Sequence, residues 1–549
     1  MVTYAADFET TTDPDDCRVW GYGIAEVCNN PRVITGNSLD DFMDFMAVDD
    51  CEVYFHNLGF DGWFILDWLF HHDFTHTHTT PKSGEFSTLI NNVGKFFQVT
   101  ITMWNGTRVT LKDSLKKLPM SVSEVSKAFD LPESKGELDY HTFRPVGHVL
   151  TDEERDYIRR DVEIVALALH KQFTTGMKKL TVGSDSLDDF TKMLGRKNFK
   201  RLFPILPESM DTTIRAALRG GFTYADPRFR GKIVGQGATY DVNSLYPYVM
   251  REKMMPNGIP VYFDTAPSND PDYPLWVASI TFTAKVRRNH IPCIQVKGAM
   301  FFQPTEYLTV IDEPVTMVIT SVDYELWQQQ YDLDIISWNG GFSFRGIYGV
   351  FTDYIDKWMQ VKKTHSGGMR VIAKLQLNSL YGKFGTNPNV TGKYPVFEEG
   401  KVKLVMGPEE TREPVYTPVG VFITAYARQH TITAAQDNYR HFAYADTDSL
   451  HLLTRDTPKG LTVDPQELGA WKHEYDFDRA IFLRAKQYSE HKTDGDHETH
   501  VASMNRKVAE TLTVDDLAKG GEIRNGKLGR KTVPGGVVLQ EQSFTFYDG

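Results

Sequence analysis

Asp446 and Asp448 stand two residues apart in HFAYADTDSLHLL (441–453), an otherwise apolar, β-prone run. If the run is extended throughout, alternation places Phe442, Tyr444, Asp446, Asp448 and Leu450 on one face. Carboxylates at i and i+2 of a strand lie roughly 6.5–7 Å apart, within reach of one cation or a pair of cations. The alternative for ADTDS is an Asp-rich turn capping its own backbone at a hairpin tip. A third acid, Asp241, ends a β-like run in GATYDVNSLYPYVM (237–250). Three such carboxylates suit phosphoryl transfer, which asks little of a protein beyond positioned cations and charge neutralisation around the in-line displacement.

A second acid set lies near the start of the chain. In TYAADFETTT, Asp7 and Glu9 share a strand face, and VYFHNLGFDGWFI sets Asn57 and Asp61 in an aromatic, apolar neighbourhood. LTDEERDYIRRDVEIVALALHKQF (150–173) opens with a Thr151/Glu154 capping box and continues with helical periodicity. Its apolar stripe of Tyr157, Ile164, Val165 and Ala168 also carries Asp161, so that acid needs a partner from outside the helix. Asp7, Glu9, Asp61 and Asp161 together form an oxygen-rich cage suited to Mg²⁺ or Mn²⁺. Two such ions about 3.5–4 Å apart activate water and stabilise a leaving oxygen, and Tyr157, one turn before Asp161, is placed to orient that water.

Cations for a triphosphate are expected on a helix in GGMRVIAKLQLNSLYGKFG (367–385), where Arg370, Lys374, Asn378 and Tyr381 occupy about an 80° arc. The alternative is an amphipathic helix with a solvated basic face.

The elements that position these residues must come from several units. A chain of 549 residues exceeds a single core and predicts roughly three to four domains or large subdomains. Its 41% hydrophobic and 24% charged content are those of a globular protein. GWFILDWLF, from Gly62, is too short for a membrane span, and MVTYAADFET lacks a signal peptide's basic start and apolar core, so a cytoplasmic location is expected. Cysteines 17, 28, 51 and 293 show neither zinc-ligand spacing nor a disulfide framework. The net charge of −12 argues mildly against indiscriminate phosphate binding, although basic clusters occur at 192–201, 357–374 and 524–531. HHDFTHTHTT, from His71, is read as a solvated loop rather than a metal site.

Taken together the motifs resemble family B DNA polymerases, with spellings most similar to the protein-primed, phi29-like phage type. DFET, NLGFD and YIRRD resemble the three exonuclease motifs; DVNSLYP, KLQLNSLYGK and YADTDS resemble polymerase motifs A, B and C, in that order. DSLKKLP (113–119), PVYTPVGVFITAYAR (414–428), LRAKQY (483–488) and VPGGVVL (533–539) extend the likeness over nearly the whole chain.

The resemblance implies an α/β and α+β multidomain fold: an N-terminal RNase H-like 3′–5′ exonuclease domain (1–181), then a right-hand polymerase domain (182–549). Within the latter it implies a palm (about 182–252 and 411–518), a priming-protein-docking insertion (about 253–349), fingers (about 350–387), a second insertion (about 388–410) and a thumb (about 519–549). Asp241 and Asp448, with the Val242 carbonyl, would hold two Mg²⁺ or Mn²⁺ ions, with Asp446 beside them. Tyr246 would reject a ribose 2′-hydroxyl, Tyr381 would abut the nascent base pair, and Lys362 and Lys374 would meet the triphosphate. Asp7, Glu9, Asp61 and Asp161 would hold metals or the substrate terminus, assisted by Tyr157 and Lys135, while Asn57 binds the single strand. Lys486 with Tyr488, and Thr424 with Arg428, match strand-contacting motifs.

The implied partners are a DNA template and primer strand, deoxynucleoside triphosphates and a terminal priming protein, with no membrane, for an enzyme working as a monomer. Where the family usually has Tyr-x-Gly-Gly between its domains, this chain has Leu218-Arg219-Gly220-Gly221. Its acidity is a second departure. The rival readings are a nucleic-acid-primed repair-type DNA polymerase and a catalytically silent DNA-binding scaffold; the latter predicts degenerate acids.

Overall fold

The computed structural model describes residues 1–132, 134–296 and 307–546, so part of the first expected insertion and the end of the expected thumb lie outside the described residues. A ten-stranded mixed sheet forms the N-terminal unit. From one edge it runs Lys401–Thr411, Asn389–Glu398, Glu85–Ile90, Phe96–Thr102, Arg108–Asp113, Cys51–Phe55, Val2–Thr10, Val19–Glu26 and Val33–Gly36, with Thr75–His76 beside Glu85–Ile90. Strand alternation sorts Val2–Thr10 between two cores: Ala6 and Phe8 join the aromatic core around Phe42, Phe55 and Phe64, whereas Ala5 faces the opposite layer with Ile164, Val165 and Ala168. That opposite layer includes the helix Asp152–Thr174, whose predicted Thr151/Glu154 capping box is formed. Asp7 and Glu9, in step with Ala5, therefore point toward the helix that carries Asp161.

A second sheet is antiparallel throughout, in the order His497–Val501, Gln487–Lys492, Trp471–Arg484, Ile233–Val242, Ser449–Leu452, Phe442–Asp446, Thr223–Ala225. Its core is shared with the almost wholly buried helix Thr417–Asp437 and with two packed helices, Thr352–Thr364 and Gly367–Phe384. Met255–Phe263, Tyr331–Ile347, Leu275–Val286 and Val310–Thr320 make a four-stranded sheet, and Glu522–Val533 with Gly536–Thr545 a terminal hairpin.

Contacts across long sequence separations tie the units together, three of them as follows. Lys117 forms an ion pair with Asp185 in which both side chains are buried, linking the N-terminal unit to the helix Val182–Leu194. Removing one partner of such a pair strands a buried charge at about 3–5 kcal/mol. The hairpin of 389–411 joins the edge of the N-terminal sheet through Lys393 opposite Ile90. Arg530 of the terminal hairpin donates to the Gly59 carbonyl at 2.8 Å and to Asn57 Oδ1 at 3.0 Å.

Among the described residues no helix is long and apolar enough to cross a membrane.

Candidate active sites

The first acid site forms where two strands end. Asp241 lies opposite Ser449, and the Val242 amide donates to the Asp448 carbonyl at 2.8 Å. The run 442–450 departs from the expected single face. Phe442–Asp446 and Ser449–Leu452 are separate strands, and Thr447 between them takes φ +54°, a left-handed conformation that reverses the chain. Phe442 and Leu450 pack into the helix-backed core, Tyr444 into the opposite one. Asp446 and Ser449 therefore flank a two-residue turn, Thr447-Asp448, so Asp446 and Asp448 do not share a strand face.

The turn separates the roles of its two acids. Asp446 Oδ1 accepts from Thr223 Oγ1 at 2.9 Å, and Lys486 Nζ stands 3.3 Å from Oδ2. Asp448 is exposed. Burial, then the Asp448 charge, lifts the Asp241 carboxyl to about 6; the protein around Asp448 likewise raises its carboxyl. Two carboxylates that resist joint ionisation are suited to a site that divalent cations complete.

The helix Gly367–Phe384 turns Arg370, Lys374 and Asn378 outward as expected, and Tyr381 stacks on Tyr246 at 3.9 Å between centroids. Arg370 donates to the Lys362 carbonyl at 2.6 Å. Burial and the neighbouring Lys374, Arg370 and Lys363 charges hold the Lys362 ammonium below its usual range. Such mutual repulsion is relieved by an anion, so these cations form a polyphosphate-ready face.

The second acid site gathers all four predicted carboxylates. Burial, then Asp161, raises Asp7 to about 7, and Glu9 and Asp61 are also driven well above the carboxylate range, by burial first and then by Asp7. The partner of Asp161 is Lys135, at 3.2 Å. Burial opposes the Lys135 charge, but Asp161, Tyr140 and Asp7 outweigh it and the ammonium is held above its usual range. Asp161 Oδ1 is buried with no hydrogen-bond partner. One lysine against four acids, with an orphaned oxygen, fits a site for divalent cations. Among the described residues, no three His, Cys, Asp or Glu side chains are already closed around one point. Tyr157 hydrogen-bonds Tyr140 hydroxyl to hydroxyl at 2.6 Å, a partner that no local sequence signal marks.

The family described as DNA polymerase type B, organellar and viral, matches residues 43–148 and 137–465. The chain belongs to that family. The DNA polymerase of Bacillus phage Nf is 43% identical, covering 99% of both chains. That of Bacillus phage phi29 is 41% identical, covering 99% of this chain and 98% of its own. The solved structure of phi29 DNA polymerase complexed with primer-template DNA and incoming nucleotide substrates matches with TM-score 0.95 at 40% identity, covering 99% of both chains. The expected fold class, an RNase H-like exonuclease domain followed by a right-hand polymerase domain, stands on that match.

Other residues expected from family B motifs sit in distinct surroundings. Lys486 is exposed, at φ +60°, beside Asp446. Tyr488 is buried against Tyr444, with ring centroids 4.9 Å apart. Thr424 is buried and donates to the Gly420 carbonyl. Arg428 is buried in a two-bond pair with Asp323, at 2.9 and 3.0 Å, and also donates to the Arg219 and Gly220 carbonyls. The Arg219–Gly220 segment is thus gripped through its backbone. Burial lowers Arg219 itself to about 10, and its guanidinium donates to the Val318 carbonyl at 2.8 Å. Asn57, at φ +88°, donates its amide to Asp113 Oδ1 at 3.1 Å, leaving its side-chain oxygen to Arg530. Asp113, Tyr140, Asp323 and Arg530 were not legible as site residues, because each acts across a long sequence separation.

Proposed function

We propose that the protein is a DNA-directed DNA polymerase that copies phage-type linear DNA from a protein primer, displaces the downstream strand, and proofreads in a separate 3′–5′ exonuclease site. The observation that carries this reading is the juxtaposition of Asp241 and Asp448 across paired strands, with the stacked Tyr246 and Tyr381 within electrostatic reach of Asp448.

Asp241, Asp448 and the Val242 carbonyl would hold two Mg²⁺ or Mn²⁺ ions, and the four N-terminal acids another two; bound there, such ions activate the attacking oxygen and neutralise charge on the leaving one. The side chains do the rest. Lys362, Lys374 and Arg370 draw the triphosphate against the fingers helix, with Asn378 on the same face. Tyr381 supports the new base pair, and Tyr246 fills the space a ribose 2′-hydroxyl would need. Lys486 offsets the Asp446 charge and, with Tyr488, Thr424 and Arg428, steadies the primer strand, Arg428 acting through the interdomain segment it grips. In the N-terminal site Tyr157, held by Tyr140, orients the attacking water; Lys135 offsets charge at Asp161; Asn57 holds the single strand. The enzyme works as a monomer in the cytoplasm of an infected cell.

The four-stranded sheet of residues 255–347, hydrogen-bonded separately from the catalytic strands, supports a docking role for the priming protein. The deciding experiment is transfer of labelled dAMP to a candidate priming protein without any oligonucleotide. Labelled protein supports the reading; extension of an oligonucleotide primer with no protein labelling favours a repair-type enzyme. A silent scaffold is disfavoured because every expected acid is present and gathered with its set.

A further inference from the structure

Behind the Asp446–Ser449 turn runs a buried polar chain that the proposed mechanism does not use. The Asp446 amide donates to Ser449 Oγ at 3.2 Å, and Ser449 Oγ lies 3.2 Å from His451 Nε2. His451 Nδ1 meets Glu490 Oε1 at 2.6 Å. Glu490 is further held by Thr239 Oγ1 at 3.1 Å and by the Tyr475 hydroxyl. His451 is 1% exposed and Glu490 not at all.

The contacts form one continuous chain from Glu490 to the turn. Whichever way the proton lies, the imidazole spans Glu490 and Ser449, and the Ser449 oxygen accepts the Asp446 amide. Serine, histidine and an acid in this order also form the relay of serine hydrolases. Here, however, the serine oxygen is engaged by a backbone amide and the imidazole is sealed from solvent, so the geometry serves orientation rather than acyl transfer.

We infer that Glu490, His451 and Ser449 are positioning residues that lock the Asp446–Ser449 turn and so fix where Asp446 and Asp448 present their carboxylates. Thr447 is a non-glycine residue at positive φ inside this turn, a conformation that persists only where its surroundings over-determine it. Other contacts hold the turn too, among them Thr431 Oγ1 on the Thr447 carbonyl at 2.6 Å, the Thr447 amide on the Phe222 carbonyl at 2.7 Å and the Val242 amide on the Asp448 carbonyl at 2.8 Å. The buried chain adds the hold on Ser449. Because Asp241 lies opposite Ser449, an error in Ser449 reaches both acids of the pair.

The inference rests on the reading of Asp241 and Asp448 as the nucleotidyl-transfer site. His451→Asn keeps a donor toward Glu490 and loses the reach to Ser449. In protein whose second acid site is removed by Asp7→Ala and Asp61→Ala, Mn²⁺ binding followed by electron paramagnetic resonance should weaken at least fivefold in His451→Asn, and kcat for nucleotide addition should fall at least tenfold. Ser449→Ala should do the same, and the double variant should be no worse than the poorer single one. Single-strand degradation, tested with the N-terminal acids restored, should persist and report a folded chain. Mn²⁺ affinity within twofold of the parent, or losses that multiply in the double variant, would overturn the inference. Should His451→Asn not fold, Ser449→Ala alone decides by the same Mn²⁺ criterion. Asp448→Ala is the control: if it leaves Mn²⁺ binding and nucleotide addition intact, the site reading itself has failed instead.

Discussion

Tyr246 and Tyr381 lie ring on ring, 3.9 Å between centroids and 13° from parallel, joining the helix Leu245–Glu252 to the helix Gly367–Phe384. Such a stack contributes about 0.5–1.5 kcal/mol beyond its buried area. It also fixes the Tyr246 ring at the position where the sugar of a bound nucleotide is proposed to lie. Tyr246→Val should raise the kcat/KM for ribonucleotides relative to deoxyribonucleotides by about ten- to a hundredfold. An unchanged ratio would make Tyr246 packing and not a gate.

The N-terminal acids predict how stability depends on pH. Asp7 is held at about 7 in the fold, against about 3.9 for an unfolded aspartate. Between those values the folded state binds more protons than the unfolded one, so metal-free stability falls as pH rises from about 4 to about 7. Melting in chelator should show this decline, Mg²⁺ should reverse it most at the alkaline end, and Asp7→Asn should flatten it. A slope unaltered in Asp7→Asn would contradict the assignment.

Arg530 stands at the junction of the terminal hairpin and the Asn57 turn, with 2.8 and 3.0 Å bonds across it. Loss of a charge-assisted hydrogen bond costs about 1.5–3 kcal/mol. Arg530→Ala should therefore raise KM for single-strand degradation by roughly tenfold or more. Extension of a paired primer should change little. Equal losses in both activities would mean the contact is merely structural.

The hairpin of residues 389–411 reaches from the N-terminal sheet edge to the terminal hairpin, an arrangement suited to enclosing a strand. Its excision should leave single-nucleotide addition on a short primer nearly intact, while product length per binding event under a heparin trap falls several-fold and strand displacement weakens. Unchanged product length would leave the hairpin a surface feature.

Much of this arrangement is legible in the sequence because it is local. Alternation placed Asp7 and Glu9 together, helical periodicity turned Asp161 inward, and a 3.6-residue repeat set Arg370, Lys374 and Asn378 on one face. Alternation failed at Asp446 and Asp448, because one left-handed residue, Thr447, reverses the chain between them. The burial of Arg428 on Asp323, 105 residues away, has no local signature. The same holds for Glu490 behind His451 and for Arg530 on Asn57, both products of tertiary packing.

The central claim is that two acid clusters in separate units do separate chemistry, and one paired assay tests it. Nucleotide addition and single-strand degradation are measured side by side in Asp448→Ala and in Asp7→Ala with Asp61→Ala. Asp448→Ala should abolish addition and keep degradation, and the N-terminal double variant should do the reverse. Loss of both activities in either variant, with folding intact, would contradict the two-site account.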